Sequence, residues 1–90
     1  MPFPEDVKIE VTERAHLRCC VCKNLGVEVH HIIPERENGP DTADNAVSLC
    51  PSCHDTYGCN PAKREFLREA RDQWYEICEI LEAVGPMSGG

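Results

Sequence analysis

Residues 19–54 read CCVCKNLGVEVHHIIPERENGPDTADNAVSLCPSCH. Two Cys-x2-Cys pairs bound this segment, one at Cys19 and Cys22 and the other at Cys50 and Cys53. Two residues between cysteines suit a knuckle around a tetrahedral ion, whereas a disulfide framework needs spacings that bring separate segments together. The segment therefore predicts a structural Zn²⁺ bound by four thiolates, with buried thiols or an iron centre as the alternatives.

Three further cysteines, Cys20, Cys59 and Cys78, lie outside the two pairs. Cys20 could replace Cys19 as a ligand, but the spacing Cys20-x-Cys22 leaves a tighter knuckle than zinc ribbons use. Cys78 falls on an apolar helical stripe and is expected in the core, whereas Cys59 has no identifiable partner. The two Cys-x2-Cys pairs are therefore the predicted ligand set.

The chain has 90 residues, with nine basic and sixteen acidic side chains and a formal net charge of −7. Such a length predicts one small domain with a marginal core, which a bound metal commonly stabilises. The acidic balance argues against coating nucleic acid through bulk charge but is compatible with a local basic face. The sequence has no signal-peptide pattern and no stretch long enough to span a membrane, so we expect a cytoplasmic protein with reduced thiols.

Residues 4–18 are compatible with two structures. Pro4 followed by two acidic residues favours a helix start, and apolar residues then recur every four positions. Val7, Ile9 and Val11 also alternate with polar residues, as in a strand rich in β-branched side chains. We favour the helix and keep the strand as the alternative.

Two short β-branched segments follow, over residues 27–33 and 46–49, and turn-forming residues at 34–44 predict a loop between them. If the strands pair as a hairpin, the two cysteine knuckles come together. A short helix over residues 51–58 then carries His54, because its proline suits a helix start and its glycine a helix end.

The strongest helix signal covers residues 61–84, with Asn60 as a suitable N-cap and Gly85 and Pro86 as the stop. Its apolar stripe consists of Leu67, Ala70, Trp74, Ile77, Leu81 and Val84, with Phe66 and Cys78 beside it. The stripe is long for so small a hairpin. We therefore expect its distal half, from Ile77 onward, to pack on the N-terminal helix or to form a homodimer seam.

The histidines need an explanation of their own, because a closed site of four thiolates has no open position for water or substrate. His30 and His31 are adjacent on a predicted strand and point to opposite faces, which allows them different roles. A lone histidine is usually structural or a surface residue. Two together on an apolar strand, with His54 directly after a knuckle, favour a functional site.

The order Val29-His30-His31-Ile32, Asn45 and Leu49-Cys50-x2-Cys53-His54 resembles the HNH endonuclease family, also called the ββα-metal or His-Me finger nucleases. The likeness is to the subgroup whose finger is closed by two Cys-x2-Cys zinc knuckles, and it covers residues 19–58. It implies an α+β fold: a ββα-metal (HNH) finger with a four-cysteine zinc site and a long C-terminal helix. A single domain over residues 1–86 would then be followed by a tail, residues 87–90.

The resemblance also implies a role for each matched residue. His31 would be the general base that takes a proton from the attacking water, and His30 and His54 would bind the catalytic divalent cation. Asn45 would hold the loop and orient the first strand by hydrogen bonds. A histidine with a reference pKa of about 6.5 is largely neutral near pH 7 and can accept that proton. The implied function is metal-dependent hydrolysis of DNA phosphodiester bonds, which leaves 5′-phosphate and 3′-hydroxyl ends.

Two departures from the family pattern bear on the catalytic metal. Many members have Asp at the position of His30, and nuclease colicins carry a further histidine where this chain has Gly58. Two imidazole ligands favour Mn²⁺, Ni²⁺, Co²⁺ or Zn²⁺ over Mg²⁺ by ligand softness, and the missing third histidine implies an exchangeable ion. We expect Mg²⁺, Mn²⁺ or Ni²⁺ as the catalytic cofactor, with the choice among them open.

Candidate DNA contacts are the basic side chains of the loop and the last helix, namely Arg36, Lys63, Arg64, Arg68 and Arg71. The alternative is ordinary solvated charge, because Arg64 and Arg68 can pair with glutamates along the helix. The sequence lacks a typical base-reading module, so we expect low sequence specificity. Two rival functions are a non-catalytic zinc-ribbon module that binds nucleic acid or protein, and a redox protein that uses the first cysteine pair.

Overall fold

The structure is a computed structural model that describes residues 3–58 and 60–84. Its regular elements are helix α1 (Glu5–Arg14), strands β1 (Glu28–His31) and β2 (Ala46–Leu49), and helices α2 (Pro51–Tyr57) and α3 (Arg64–Val84). Short 3-10 turns occur at Glu35–Glu37, Ala43–Asn45 and Pro61–Lys63. This is the predicted α+β architecture. The predictions for Cys59, for Gly85 and Pro86, and for the tail lie outside the described residues.

Helix α1 confirms the helical alternative for the N-terminal segment. Glu5 and Asp6 lie in its first turn, where the helix dipole favours negative charge. Val11 is fully buried, as is Ala15 directly after the helix, because a four-residue interval puts both on one face. The strand alternative is therefore wrong.

Strands β1 and β2 form an antiparallel two-stranded sheet, as predicted, in which Glu28 pairs with Leu49 and His31 pairs with Ala46. Strand β1 is shorter than the predicted segment and ends at His31, although the backbone N–H of Ile32 still donates to the Asn45 carbonyl at 2.8 Å, in register with the sheet. All four residues of β2 are buried, since β2 contacts α1, α2 and α3 as well as β1. The sheet therefore joins the histidine strand rigidly to the core.

Helix α2 begins at Pro51 and has Gly58 as its C-cap, which confirms the predicted short helix. The Cys50 thiol serves as its N-cap and accepts the backbone N–H of Cys53. The second knuckle and the start of α2 are thus one structure. His54 lies in the first turns of this helix, directly after the knuckle.

Helix α3 is preceded by a 3-10 turn, whose N-cap is Asn60 as predicted. Leu67, Trp74 and Cys78 of the predicted stripe are buried in the core. Trp74 Nε1 donates a hydrogen bond of 2.8 Å to the Ala15 carbonyl and so joins α3 to the end of α1. Tyr75, which the stripe prediction omitted, is also buried.

The predicted stripe residues in the distal half of α3 are exposed, although Cys78 beside them is buried. Ile77, Leu81 and Val84 retain 41%, 53% and 58% of their accessible surface. Helix α1 and the residues just after it reach α3 through polar contacts, such as the 2.6 Å contact between His16 Nε2 and Glu82 Oε2. The described part of the N-terminal segment therefore does not cover this apolar surface, and the homodimer seam stays a prediction.

Arg71 requires a correction, because it is buried with 5% of its surface exposed. Its Nη1 donates to the carbonyls of Asp44 and Ala46 at 2.6 and 3.2 Å. Asp72 lies 2.9 Å from its Nη2. The guanidinium therefore holds the turn before β2 against α3 and is not available to DNA. Helical periodicity explains this position, because Arg71 is four residues after Leu67 and three before Trp74.

Candidate functional site

The four paired cysteines converge into one cluster, as the sequence predicted. The Sγ atoms of Cys19, Cys22, Cys50 and Cys53 all lie within 4.8 Å of one another. None of the six cysteines that the structure describes is in a disulfide. Four thiols at tetrahedral-site spacing fit a structural Zn²⁺, which would join the segment before β1 to the start of α2.

Backbone amides favour the thiolate form of one member of the cluster, Cys19. The N–H groups of Val21 and Cys22 each point at the Cys19 Sγ at 3.4 Å. Burial alone would raise the pKa of Cys19, but backbone hydrogen bonds, including those from Cys22 and Cys50, lower it to about 7. Since zinc binds the thiolate form, this environment fits the metal.

Cys20 is not part of the cluster. It is fully buried, and its backbone N–H donates to the Ser48 carbonyl at 2.9 Å. Burial raises the pKa of its thiol to about 11, so the side chain is a neutral core group near pH 7. The structure therefore places Cys19, and not Cys20, with the other three predicted ligands.

The imidazoles of His30 and His54 stack, with ring centroids 3.7 Å apart and an interplanar angle of 9°. Strand β1 supplies His30, and the knuckle-capped helix α2 supplies His54. Burial, together with the nearby charges of His54 and His31, lowers the pKa of His30. His30 is therefore neutral near pH 7, which is the form of histidine that binds a metal ion.

His31 occupies the last position of β1 and has two close neighbours. Its Nε2 lies 2.7 Å from Asp41 Oδ1. Its ring also stacks on Phe3, with centroids 3.9 Å apart. Sequence reasoning missed both neighbours, because Asp41 lies ten residues away in an irregular loop and Phe3 stands isolated between two prolines.

Asn45 is 2% exposed and ends the 3-10 turn directly before β2. Its Oδ1 accepts the N–H of Ile33 at 2.9 Å, and its Nδ2 donates to the carbonyls of Ile33 and Pro40 at 2.9 and 3.0 Å. These three bonds hold both ends of the segment that follows β1. They also fix the loop position of Asp41, which directly follows Pro40.

One cavity of about 220 Å³ has all three imidazoles, those of His30, His31 and His54, in its lining. Glu35, Arg36, Pro34 and Gly58 complete the lining of this histidine cavity. Adjacent strand residues reach one cavity because His31 ends β1, where the chain turns away. The structure therefore brings His30, His31 and His54 to one common space.

Another cavity, of about 390 Å³, shares His30 and His31 and is also lined by Phe3, Lys8 and Thr12. Lys8 is 3.7 Å from Glu5, and 42% of its side chain is exposed. Sequence analysis missed this basic residue as a neighbour of the histidines. Its position in the middle of α1 gave no signal, since the contact depends on how α1 packs against β1.

The remaining predicted DNA contacts differ in position. Arg36 is exposed and lines the histidine cavity. Arg64 pairs with Glu37 of the loop at 2.8 Å, and Arg68 is 3.8 Å from Glu65 on its own helix. Lys63 is exposed, with its Nζ 5.9 Å from the centre of the Phe66 ring. Of this set, only Arg36 lies at the histidines.

Among the described residues, none of the helices combines the length and apolar character needed to cross a membrane. A solved structure, that of the Type IV phosphorothioation-dependent restriction endonuclease ScoMcrA, has the same fold. The TM-score is 0.63 at 24% identity, over 84% of this chain and 20% of that one.

The HNH endonuclease family matches residues 18–60. The Type IV methyl-directed restriction enzyme EcoKMcrA of Escherichia coli (strain K12) is 61% identical over 38% of this chain and 17% of its own length. Anaredoxin of Nostoc sp. (strain PCC 7120 / SAG 25.82 / UTEX 2576) is 40% identical over 44% of this chain and 55% of its own length. The chain thus spans just over half of anaredoxin and a fifth or less of the two restriction enzymes. The family match, the restriction-enzyme relative and the shared fold together support membership of the HNH endonuclease family.

Proposed function

We propose that this chain is a metal-dependent DNA endonuclease domain that hydrolyses phosphodiester bonds with His31 as the general base. The observation that carries the proposal is the single cavity lined by His30, His31 and His54. A base and a pair of imidazole metal ligands around one space are the parts that metal-assisted hydrolysis of a phosphodiester uses.

His30 and His54 are the proposed ligands of the catalytic cation. The two elements that carry them are held together by the sheet and the cysteine cluster, so the rings stay adjacent, and rotation out of the stack would turn one nitrogen of each ring toward a shared ion. A divalent cation there would stabilise the charge that develops on the phosphate and on the leaving 3′ oxygen. Gly58 replaces the additional histidine of the colicins, which supports an exchangeable ion such as Mg²⁺, Mn²⁺ or Ni²⁺.

The contact between His31 and Asp41 supports one tautomer of the base. An ionised carboxylate only accepts hydrogen bonds, so a hydrogen bond across the 2.7 Å contact would require the ring hydrogen to be on Nε2. The lone pair of a neutral ring is then on Nδ1. His31 would accept the proton of the attacking water at Nδ1, and Asp41 would stabilise the imidazolium that forms.

Asn45 acts at a distance from the scissile bond in this proposal. Its hydrogen bonds to Ile33 and Pro40 fix the segment on which Asp41 stands. Asn45 is therefore a positioning residue for the base, through the backbone and through Asp41.

For DNA, the proposed contacts are Arg36 in the histidine cavity and Lys8 in the neighbouring cavity. Lys63, Arg64 and Arg68 would contribute through phosphate attraction further along α3. Phosphate contacts carry no direct sequence information, so cleavage should show low sequence specificity. The two restriction-enzyme names refer to modified DNA. We propose that this chain supplies a cleavage module of that kind, and not the recognition of a modification.

The experiment is a plasmid nicking assay with protein of measured zinc content. Addition of Mg²⁺, Mn²⁺ or Ni²⁺ should nick supercoiled DNA and leave 5′-phosphate and 3′-hydroxyl ends, and no nicking should occur without added metal. Complete inertness with each of the three ions would favour the non-catalytic zinc module. Inertness combined with reversible dithiol oxidation and zinc release would favour a redox protein related to anaredoxin.

A further inference from the structure

We infer that His31, Glu35 and Asp41 form a second exchangeable cation site, and that Zn²⁺ bound there inhibits cleavage by occupying His31. The inhibition rests on the proposed function, whereas the binding site itself does not. The site shares no ligand with the four-cysteine cluster or with the stacked pair of His30 and His54.

The geometry supports such a site. One ligand atom from each of His31, Glu35 and Asp41 lies within 4.8 Å of the others. Ligand atoms around a zinc ion stand about 3–4 Å apart, so small side-chain rotations would close the cluster on an ion. His31 Nε2 and Asp41 Oδ1 are already 2.7 Å apart.

The backbone that carries the two carboxylates is fixed. The Pro34 carbonyl accepts the N–H groups of Glu37 and Gly39 at 2.9 and 3.0 Å, which closes the turn that begins at Glu35. The Pro40 carbonyl, just before Asp41, accepts Asn45 Nδ2 at 3.0 Å. Because the backbone at these positions is already ordered, only the side-chain torsions lose conformational freedom when an ion binds.

The ligand chemistry favours a borderline transition metal. Two carboxylates and one neutral imidazole neutralise a dication, and this mixed oxygen and nitrogen set is one that Zn²⁺ commonly takes. Mg²⁺ prefers oxygen ligands, holds its water shell tightly and demands octahedral geometry, so it should occupy this site poorly. Zn²⁺ is therefore the ion to which the cluster is best suited.

Zn²⁺ bound at His31 would prevent this side chain from acting as a base, because the ion changes which ring nitrogen carries the hydrogen. An ion on Nε2 displaces the hydrogen from that nitrogen, and a neutral ring must then carry its one hydrogen on Nδ1. Nδ1–H is a donor and has no lone pair for the proton of water. Cleavage supported by another metal should therefore stop when this site fills.

The binding test is calorimetric titration of Zn²⁺ into protein that already holds its structural zinc. Glu35→Gln and Asp41→Asn should each lower the affinity of the same exchangeable ion. Loss of an outer-shell partner alone costs roughly 10–100-fold in metal affinity, so loss of a direct ligand should cost at least tenfold. Glu37→Gln is the matched control, because Glu37 lies in the same turn but pairs with Arg64. The inferred site is wrong if Glu35→Gln and Asp41→Asn both bind the exchangeable Zn²⁺ with unchanged affinity while His54→Ala no longer binds it.

The activity test adds Zn²⁺ to the Mg²⁺- or Mn²⁺-supported nicking reaction. The wild type should be inhibited, and Glu35→Gln should require at least ten times more Zn²⁺ for half inhibition. If Zn²⁺ binds as inferred but the protein cleaves no DNA, the proposed function fails while the site stands. Equal inhibition of wild type and Glu35→Gln would contradict the inhibitory role.

Discussion

Asn45 and Ile33 exchange a pair of hydrogen bonds, in which Ile33 N–H donates to Asn45 Oδ1 and Asn45 Nδ2 donates to the Ile33 carbonyl, both at 2.9 Å. The pair copies the backbone ladder of a sheet at a point where β1 has already ended. It converts an irregular loop into a fixed continuation of the hairpin. The conformation of the segment that carries Asp41 therefore depends on one buried amide.

Asn45→Ala should destabilise the fold by about 2–3 kcal/mol, because it removes three hydrogen bonds of about 1 kcal/mol each and leaves buried partners unsatisfied. Nicking should fall at least tenfold under conditions where the variant remains folded, since the loop that carries Asp41 loses its support. Chemical denaturation and plasmid nicking measure the two effects. Asn24→Ala, at an exposed position, should change stability by less than about 0.5 kcal/mol. Equal stability of the two variants would show that the amide pair is dispensable.

Arg71→Met should also destabilise the fold, by about 3 kcal/mol. The change removes two charge-assisted hydrogen bonds to the carbonyls of Asp44 and Ala46 while keeping part of the buried stem volume. Arg68→Ala is the comparison, because Arg68 is a third exposed and makes a loose ion pair worth little.

DNA affinity separates the buried arginine from the exposed one. The slope of the logarithm of DNA affinity against the logarithm of salt concentration counts the phosphate contacts. Arg36→Ala should reduce that slope by about 1, the amount for one contact, whereas folded Arg71→Met should leave it unchanged. Titrations at several salt concentrations check this. A reduced slope in Arg71→Met would restore Arg71 as a DNA contact.

Gly58→Ala should weaken the catalytic cation site without unfolding the domain. A Cβ at this position would overlap Cδ2 of His54 and stand 3.0 Å from its Nε2, so the ring must rotate away from His30. The same Cβ would stand 2.6 Å from the His54 carbonyl. We expect at least a tenfold higher Mn²⁺ requirement for nicking.

Thr56→Ala is the matched control for Gly58→Ala, because its hydroxyl bonds only within α2, to the Ser52 carbonyl. It should leave the Mn²⁺ requirement unchanged. If the Mn²⁺ requirement is also unchanged in Gly58→Ala, His54 is not a ligand of the cation.

Cys50→Ser, or removal of zinc by a chelator, should unfold the hairpin. Binding of structural zinc contributes about 10–16 kcal/mol in zinc-finger peptides, which is of the same size as the total stability of about 5–15 kcal/mol typical of domains. Circular dichroism with zinc quantification measures the result. Cys20→Ser tests the specificity of the ligand set: it should keep one zinc per chain, since Cys20 lies outside the cluster. One bound zinc and a native spectrum in Cys50→Ser would contradict the four-thiolate site.

Much of the fold was predictable because local signals agreed with it. The spacing of Cys19, Cys22, Cys50 and Cys53 predicted the cluster, and caps at Pro51 and Asn60 predicted where helical structure begins. A four-residue apolar repeat predicted α1. Each of these signals comes from chemistry within a few residues.

The errors and omissions arose where tertiary packing determines a side chain's environment. The positive charge of Arg71 predicts a DNA contact, whereas its helical position between Leu67 and Trp74 indicates the buried face, and the structure follows the second signal. Asp41 contacts His31 because a loop folds back, and Lys8 lines a cavity with His30 and His31 because α1 packs against β1. No local pattern records such contacts.

The most direct measurement is the nicking rate of His31→Ala, compared with that of His16→Ala, at equal zinc content. His16 is a histidine outside the cavity, and its Nε2 lies 2.6 Å from Glu82 Oε2. Loss of a general base typically costs about 10²–10⁴-fold, so His31→Ala should lose at least a hundredfold in metal-supported nicking while His16→Ala keeps the wild-type rate. Nicking by His31→Ala at the wild-type rate would contradict the assignment of His31 as the general base.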